Sequence, residues 1–353
     1  MNLASSWRFF GANALGLAML AIAQVATAEV TGAGSSFAAP VMQPWSERFE
    51  VAQKISVHYQ AVGSGEGIRR VTARAVDFAL TDIPLTHVEL AQAELAQFPV
   101  VIGAITPVIN LPNVAQNQLR LSGTVLEAIY MGRIVAWNDP ALRALNPDLD
   151  LPALPIRVIH RADGSGTTFV FTNYLSKQSA EWQDRIGIGS RLQWPAGSGA
   201  NGNEGVSKSV RETAGSIGYV EYNYALKHGL TTVQLGNKAG NYVAANDSNV
   251  RAAFSNTTWS RPSYYEIVTD RGGDSSWPIV GVTFVLLSTS PANSAAARET
   301  LKFIDWIYRD GVAVAAENHY VAIDDANLIK RIEASWKSIK DRAGQAIWKD
   351  SAN

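Results

Sequence analysis

Short apolar runs alternate with amphipathic stretches along most of this chain. Residues 55–61, 76–81, 156–160, 216–222 and 279–288 each read as strands, and 100–109 is a longer apolar run ended by Pro112. Phe37, Val41, Trp45 and Phe49 fall four apart, which predicts one buried face of a helix. Ile68, Val71 and Ala75 repeat at helical spacing, as do Phe171 and Leu175. Towards the C-terminus, Leu301, Ile304 and Tyr308 mark one amphipathic helix, and Ile329, Ile332 and Trp336 another. Repeated strand–turn–helix units predict an α/β architecture. Two stretches read as loops: 138–155, with Pro140, Pro147, Pro152 and Pro155, and 194–205, rich in Gly and Asn. No fixed-period repeat or flexible linker divides the chain. Two domains would therefore be joined by crossing strands, with 100–109 and 279–288 as the candidates.

The first 28 residues have a different pattern. Residues 9–25 are mostly apolar, interrupted by Asn13 and Gln24, preceded by Arg8 and followed by Ala26-Thr27-Ala28. This is the pattern of a secretory signal peptide cleaved before Glu29. A retained anchor is the alternative reading, because the run approaches the roughly 20 residues that span a bilayer. No later run has that length, so an exported, soluble protein is expected.

Composition narrows the chemistry. The 353 residues, 47% hydrophobic, suffice for one large domain or two ordinary ones. Thirty basic and 31 acidic residues give a net charge of −1, with no basic stripe to recruit nucleic acid or anionic membrane. The chain contains no cysteine, which excludes thiolate nucleophiles, cysteine-ligated zinc, iron–sulfur clusters and disulfides.

Three Gly/Ser-rich turns carry the candidate chemistry. The first is Thr31-Gly32-Ala33-Gly34-Ser35-Ser36-Phe37, with Ser35 or Ser36 expected near a helix N-cap. The second is Gly63-Ser64-Gly65-Glu66-Gly67, ahead of a helix expected near Ile68. The third is Arg161-Ala162-Asp163-Gly164-Ser165-Gly166-Thr167-Thr168. A helix start offers unpaired N–H groups and a positive dipole end, and with hydroxyls and an Arg fork it becomes a socket for a small oxyanion. Any one turn alone reads as an ordinary N-cap; three in one chain favour a shared site. Asp82, after the strand at 76–81, belongs at a strand's carboxyl end, where clefts open. A carboxylate accepts a hydrogen bond from a phosphate that still carries a proton, but it only repels sulfate. Asp82 would therefore reject fully ionised oxyanions.

Other machinery is missing. The five histidines lack metal-ligand spacing, no G-x-S-x-G elbow occurs, and there is no Walker A sequence. Gly197-Ser198-Gly199-Ala200-Asn201-Gly202 matches G-x-G-x-x-G, but Trp194-Pro195 precedes it where a buried strand is required, so it reads as a flexible loop beside a cleft.

Several of these segments resemble the periplasmic phosphate-binding proteins, the substrate-binding components of bacterial high-affinity phosphate ABC importers. They are residues 31–37, Tyr59 to Ser64, Val76 to Phe78 with Thr81-Asp82, Ile129 to Ile134 with Trp137, and Arg161 to Thr168. Gly215 to Val220 and Trp277-Pro278-Ile279 are similar too. The resemblance covers nearly the whole chain after residue 28. It implies a two-lobed α/β fold of the type II periplasmic-binding-protein class, each lobe a mixed sheet flanked by helices, with the ligand cleft between them. Lobe I would combine 29–107 with 280–353, and lobe II would be 108–279. The resemblance further implies that Ser36, Ser64, Ser165 and Thr167 contribute hydroxyls, that Phe37 and Gly166 contribute N–H groups, and that Arg161 supplies the cation. Asp82 would accept the phosphate proton and Asp163 would buttress Arg161. Glu66 departs from the family pattern, and a dipole-favoured acid pointing to solvent is the expected reading. The implied protein is a monomer without cofactor or metal that delivers phosphate to inner-membrane permease subunits. Alternatives are a binding protein for another protonated oxyanion such as phosphite, a secreted phosphate-processing hydrolase, and an adhesive protein that kept the fold.

Overall fold

The computed structural model describes residues 29–348 apart from 256, 260 and 261. The expected signal peptide lies outside the described residues. Among those described, no helix is long and apolar enough to cross a membrane.

The N-terminal third follows the predicted alternation. Strand β1 is Glu29–Gly34, helix α1 Ala39–Gln53, strand β2 Ser56–Ala61, helix α2 Ser64–Thr72 and strand β3 Phe78–Thr81. β1 lies between β2 and β3 and is parallel to both. The four-residue spacing before and along α1 does what it predicts: Phe37, Val41, Trp45 and Phe49 are all fully buried. Burial of each such side chain is worth about 1.5–3 kcal/mol. Phe49 packs on Phe303 and Trp306 of the Ser294–Arg309 helix, with ring centroids 5.0 and 5.8 Å away. Leu301, Ile304 and Tyr308 line the buried side of that helix, as their spacing predicts.

The long apolar run becomes strand β4, Leu95–Ile109, which starts earlier than its most hydrophobic part. β4 changes partners midway. Residues 95–104 pair antiparallel with Val280–Ser288, which also pairs with β3. Residues 105–109 pair antiparallel with Ser216–Glu221. That strand lies parallel to Arg157–Arg161, and Ser198–Ala200 closes the edge. One sheet path therefore runs through both lobes of the mixed α/β fold, with β4 common to both. The Ile105 N–H donates to the Ile279 carbonyl at 2.9 Å, so the two crossings expected from sequence lie side by side.

Two expectations need correction. The proline-rich stretch 138–155 contains a helix, Pro140–Leu145, because Asp139 caps it, Pro140 suits the first turn and Leu142 supplies a buried anchor. The Gly/Asn-rich stretch 194–205 contains the Ser198–Ala200 strand and the start of the Gly202–Glu212 helix. Gly197 serves close packing: a Cβ there would lie 2.4 Å from the Val158 carbonyl oxygen.

Close backbone approach also fixes α2. A Cβ on Gly67 would lie 2.5 Å from the Gly34 Cα and 3.0 Å from the Ala33 oxygen. Gly67→Ala is expected to lose about 1–3 kcal/mol of stability through this clash, despite alanine's better helix propensity. Urea titration checks this; a variant as stable as the parent would show that α2 does not depend on backbone contact with β1.

Candidate functional site

The three turns and Asp82 converge where the strands end. Asp82 directly follows β3 and is 1% exposed. Its Oδ2 accepts the Ser35 hydroxyl at 2.6 Å, and its Oδ1 accepts the Thr283 hydroxyl at 2.7 Å. Ser64 Oγ, at the start of α2, accepts the Asp82 N–H at 3.2 Å and stands 3.5 Å from Oδ2. Burial pushes the Asp82 carboxyl up to about 6, while the bonds from Ser35 and Thr283, the Arg161 charge and Ser64 hold it from rising further.

The first turn is a tight bend rather than a helix start. Ala38 occupies the N-cap position of α1 and makes no side-chain cap bond. The expected cap by Ser35 or Ser36 does not form because both hydroxyls are engaged elsewhere. Ser35 Oγ accepts the Phe37 N–H at 2.9 Å while it donates to Asp82. Ser36 Oγ accepts from Asn203. The carbonyls of Ser35, Ser36 and Phe37 accept the hydroxyls of Tyr59, Tyr224 and Tyr320 at 2.8, 2.9 and 2.6 Å. In a trans peptide, C=O and N–H point to opposite sides. The three tyrosines therefore turn the following N–H groups, including that of Phe37, the other way.

The second turn becomes helical earlier than expected, at Ser64 rather than near Ile68. Glu66 is paired with Arg69 at 2.6 Å and Arg70 at 2.8 Å, and these bonds hold its carboxyl down to about 2. Its charge is thus spent on neighbouring arginines, in line with the dipole-and-solvent reading.

The third turn follows the prediction closely. Arg161 ends its strand, is 3% exposed, and forks onto Asp163 with Nε–Oδ1 at 2.7 Å and Nη2–Oδ2 at 2.5 Å. Partial burial opposes the Asp163 charge, but the Arg161 bonds and charge, with the Gly202 N–H, hold its carboxyl below the ordinary value. The buttressing arrangement is thus present. Arg161 Nη1 reaches Thr167 Oγ1 at 3.3 Å. Ser165 is the N-cap of the Gly166–Gln178 helix and accepts the Thr168 N–H at 3.0 Å, which leaves its O–H free to donate.

The two jaws meet at Gly166. A Cβ there would lie 2.4 Å from Ser64 Oγ and 2.5 Å from Asp82 Oδ2. The Gly65 N–H donates to the Gly164 carbonyl at 3.0 Å. The structure thus gathers Ser36, Phe37, Ser64, Asp82, Arg161, Ser165, Gly166 and Thr167 into one buried constellation, with Asp163 behind Arg161. Sequence reasoning missed Thr283, Asn203 and the three tyrosines. Ser35 stood in the first turn but was read as a cap. Among the described residues no cluster of His, Asp or Glu could hold a metal.

This arrangement, two lobes on a shared sheet with an anion socket at the strand ends, defines a substrate-binding protein of the periplasmic-binding-protein type. Residues 21–310 match the PBP superfamily domain. The chain is 43% identical over 316 residues to the phosphate-binding protein PstS of Xylella fastidiosa, covering 89% of this chain and 86% of that protein. It is 43% identical over 310 residues to PstS of Haemophilus influenzae, covering 88% and 92%. A solved structure described as a putative phosphate ABC transporter substrate-binding protein with bound phosphate, from Clostridium perfringens, shares the fold. Its TM-score is 0.62 at 20% identity, over 84% of this chain and all of that one. The chain belongs to the PstS phosphate-binding protein family.

The Asp82 environment has a consequence for stability. Its carboxyl titrates at about 6 in the folded protein, against an ordinary 3.8. The folded state thus favours the protonated form, and this contribution is full below about pH 4, falls as pH rises to about 6 and is then flat, a loss of about 3 kcal/mol. In phosphate-free buffer, Asp82→Asn is therefore expected to melt above the parent near pH 7, with the gap closing towards pH 4. Thermal melts across pH check this; parallel curves would contradict it.

Proposed function

We propose that this protein captures inorganic phosphate and delivers it to the inner-membrane permease subunits of a phosphate ABC importer. It acts by binding and release, not by catalysis, as the names of its relatives indicate. The single observation that carries the phosphate reading is Asp82, a buried carboxylate set among hydroxyl donors and against Gly166 of the opposite jaw. Its pKa of about 6 leaves it mostly ionised at neutral pH. It can then accept one proton-bearing oxygen and repel an anion without a proton.

The remaining roles follow from chemistry. Arg161 supplies charge, held in place by Asp163. The hydroxyls of Ser36, Ser64, Ser165 and Thr167 and the N–H of Gly166 are the donor set, joined by the Phe37 N–H once it exchanges its bond to Ser35 Oγ for the ligand. Hydrogen bonds to a charged group contribute about 1.5–3 kcal/mol each. Roughly eight of them exceed the ~8 kcal/mol of a micromolar complex even after association entropy is subtracted. The partner change of β4 supports a lobe I of 29–107 with 280–353 and a lobe II of 108–279. The protein works as a periplasmic monomer, exported by residues 1–28, with no cofactor.

Calorimetric titration with phosphate and sulfate tests the reading. Phosphate is expected to bind and sulfate to fail; equal binding of the two would remove the proton-acceptor role from Asp82. Arg161→Ala is expected to weaken phosphate binding at least about a hundredfold, since a buried charge-assisted fork is lost. Parent-like affinity in that variant would exclude Arg161 from the site. Asp82→Asn is expected to narrow the gap between phosphate and sulfate more than it weakens phosphate, and an unchanged ratio would sink that role.

A further inference from the structure

Asn203 is fully buried and stands second in the Gly202–Glu212 helix, in a stretch that gave no functional signal in the sequence. All of its polar atoms are committed. Its Oδ1 accepts the Glu221 N–H at 3.0 Å. A backbone N–H can only donate, so this bond fixes which end of the amide is oxygen. The Nδ2 group must then face the other way. It donates to Ser36 Oγ at 3.0 Å, in the opposite lobe, and to Thr167 Oγ1 at 3.3 Å, in its own. The Asn203 backbone N–H adds a second donation to Ser36 Oγ at 3.3 Å.

A hydroxyl has two acceptor lone pairs and one donor hydrogen. Ser36 Oγ receives two N–H groups, both from Asn203. Thr167 Oγ1 also receives two, one from Asn203 and one from Arg161 Nη1. Neither oxygen has acceptor capacity left, so each O–H can only donate. We propose that Asn203 is a positioning and specificity residue that locks the Ser36 and Thr167 hydroxyls as donors to the bound anion. Because one amide serves a hydroxyl from each lobe, it does so only when the cleft is closed. Asp82 then remains the acceptor at the site, and a ligand oxygen facing Ser36 or Thr167 can only accept from it.

This rests on the phosphate reading, which the parent protein's own titration decides. The test is a mutant cycle read by phosphate calorimetry, with ligand-free melting as the folding control. Asn203→Ala is expected to weaken phosphate binding about tenfold or more, as donors lose their fixed polarity. In a Ser36→Ala, Thr167→Val background the same change is expected to cost less than about twofold, because no hydroxyl is left to orient. Asn203→Asp keeps the side-chain volume but turns the two donations into acceptors. It is expected to lose more affinity than Asn203→Ala, and it serves as the second variant if the alanine form does not fold. Parent-like affinity in either variant overturns the proposal, and so does an undiminished penalty in the hydroxyl-free background. If the parent binds no phosphate, the functional reading fails instead, which is a separate outcome.

Discussion

Asp82 accepts Ser35 and Thr283 at 2.6 and 2.7 Å in a place almost closed to water. Burying a carboxylate is costly unless it is hydrogen-bonded on every side. The surrounding chain is organised around meeting that demand. Ser35 comes from the end of β1, Ser64 from the start of α2, and Thr283 from the strand that separates β3 from β4. Three segments distant in sequence must dock correctly before the carboxylate is tolerated. The residual strain appears as a carboxyl raised to about 6.

The sheet explains how these segments reach one point. β1 and β3 are parallel neighbours, so their carboxyl ends lie side by side and deliver the first turn and Asp82 together. Arg161 ends the corresponding strand of the other lobe. β4 belongs to both lobes and carries no tether between them, so the jaws are positioned by backbone pairing. The change of partner falls between Ala104 and Ile105.

Much of this was legible in the sequence, and the limits have physical reasons. Helix periods were readable where a helix has one buried face, as Phe37, Val41, Trp45 and Phe49 show, and the central strands were readable as continuous apolar runs because both their faces are buried. The third turn was readable because its donors and its helix start are contiguous, so local chemistry and tertiary role coincide. The first turn was half readable. Its hydroxyls were visible, but their partners lie 47 and 167 residues away, and these partners prevent the helix cap that local rules favour. Thr283 and the tyrosines at 59, 224 and 320 had no signal, since an isolated hydroxyl in an apolar strand or core looks like any other. Asn203 was hidden by its neighbours: glycines at 197, 199 and 202 suggested a loose loop, whereas the first serves tight packing on Val158.

The glycines between the jaws lead to a last point about rigidity. Gly63, with φ at 91°, could carry a Cβ only 2.6 Å from Asp163 Oδ2, and Gly166 faces Ser64 and Asp82 at similar range. Main chain and side chains from the two sides therefore approach closely here, with the Gly65 N–H bonded to the Gly164 carbonyl and Asn203 bonded to Ser36. Main-chain N–H groups cannot change rotamer, and the tyrosine hydroxyls on carbonyls 35, 36 and 37 stop those peptides from turning over. The backbone of this bend is thus held in one orientation by hydrogen bonds to its carbonyls. Under the proposed function such pre-organisation favours binding, since pre-organised groups lose little freedom when a ligand arrives.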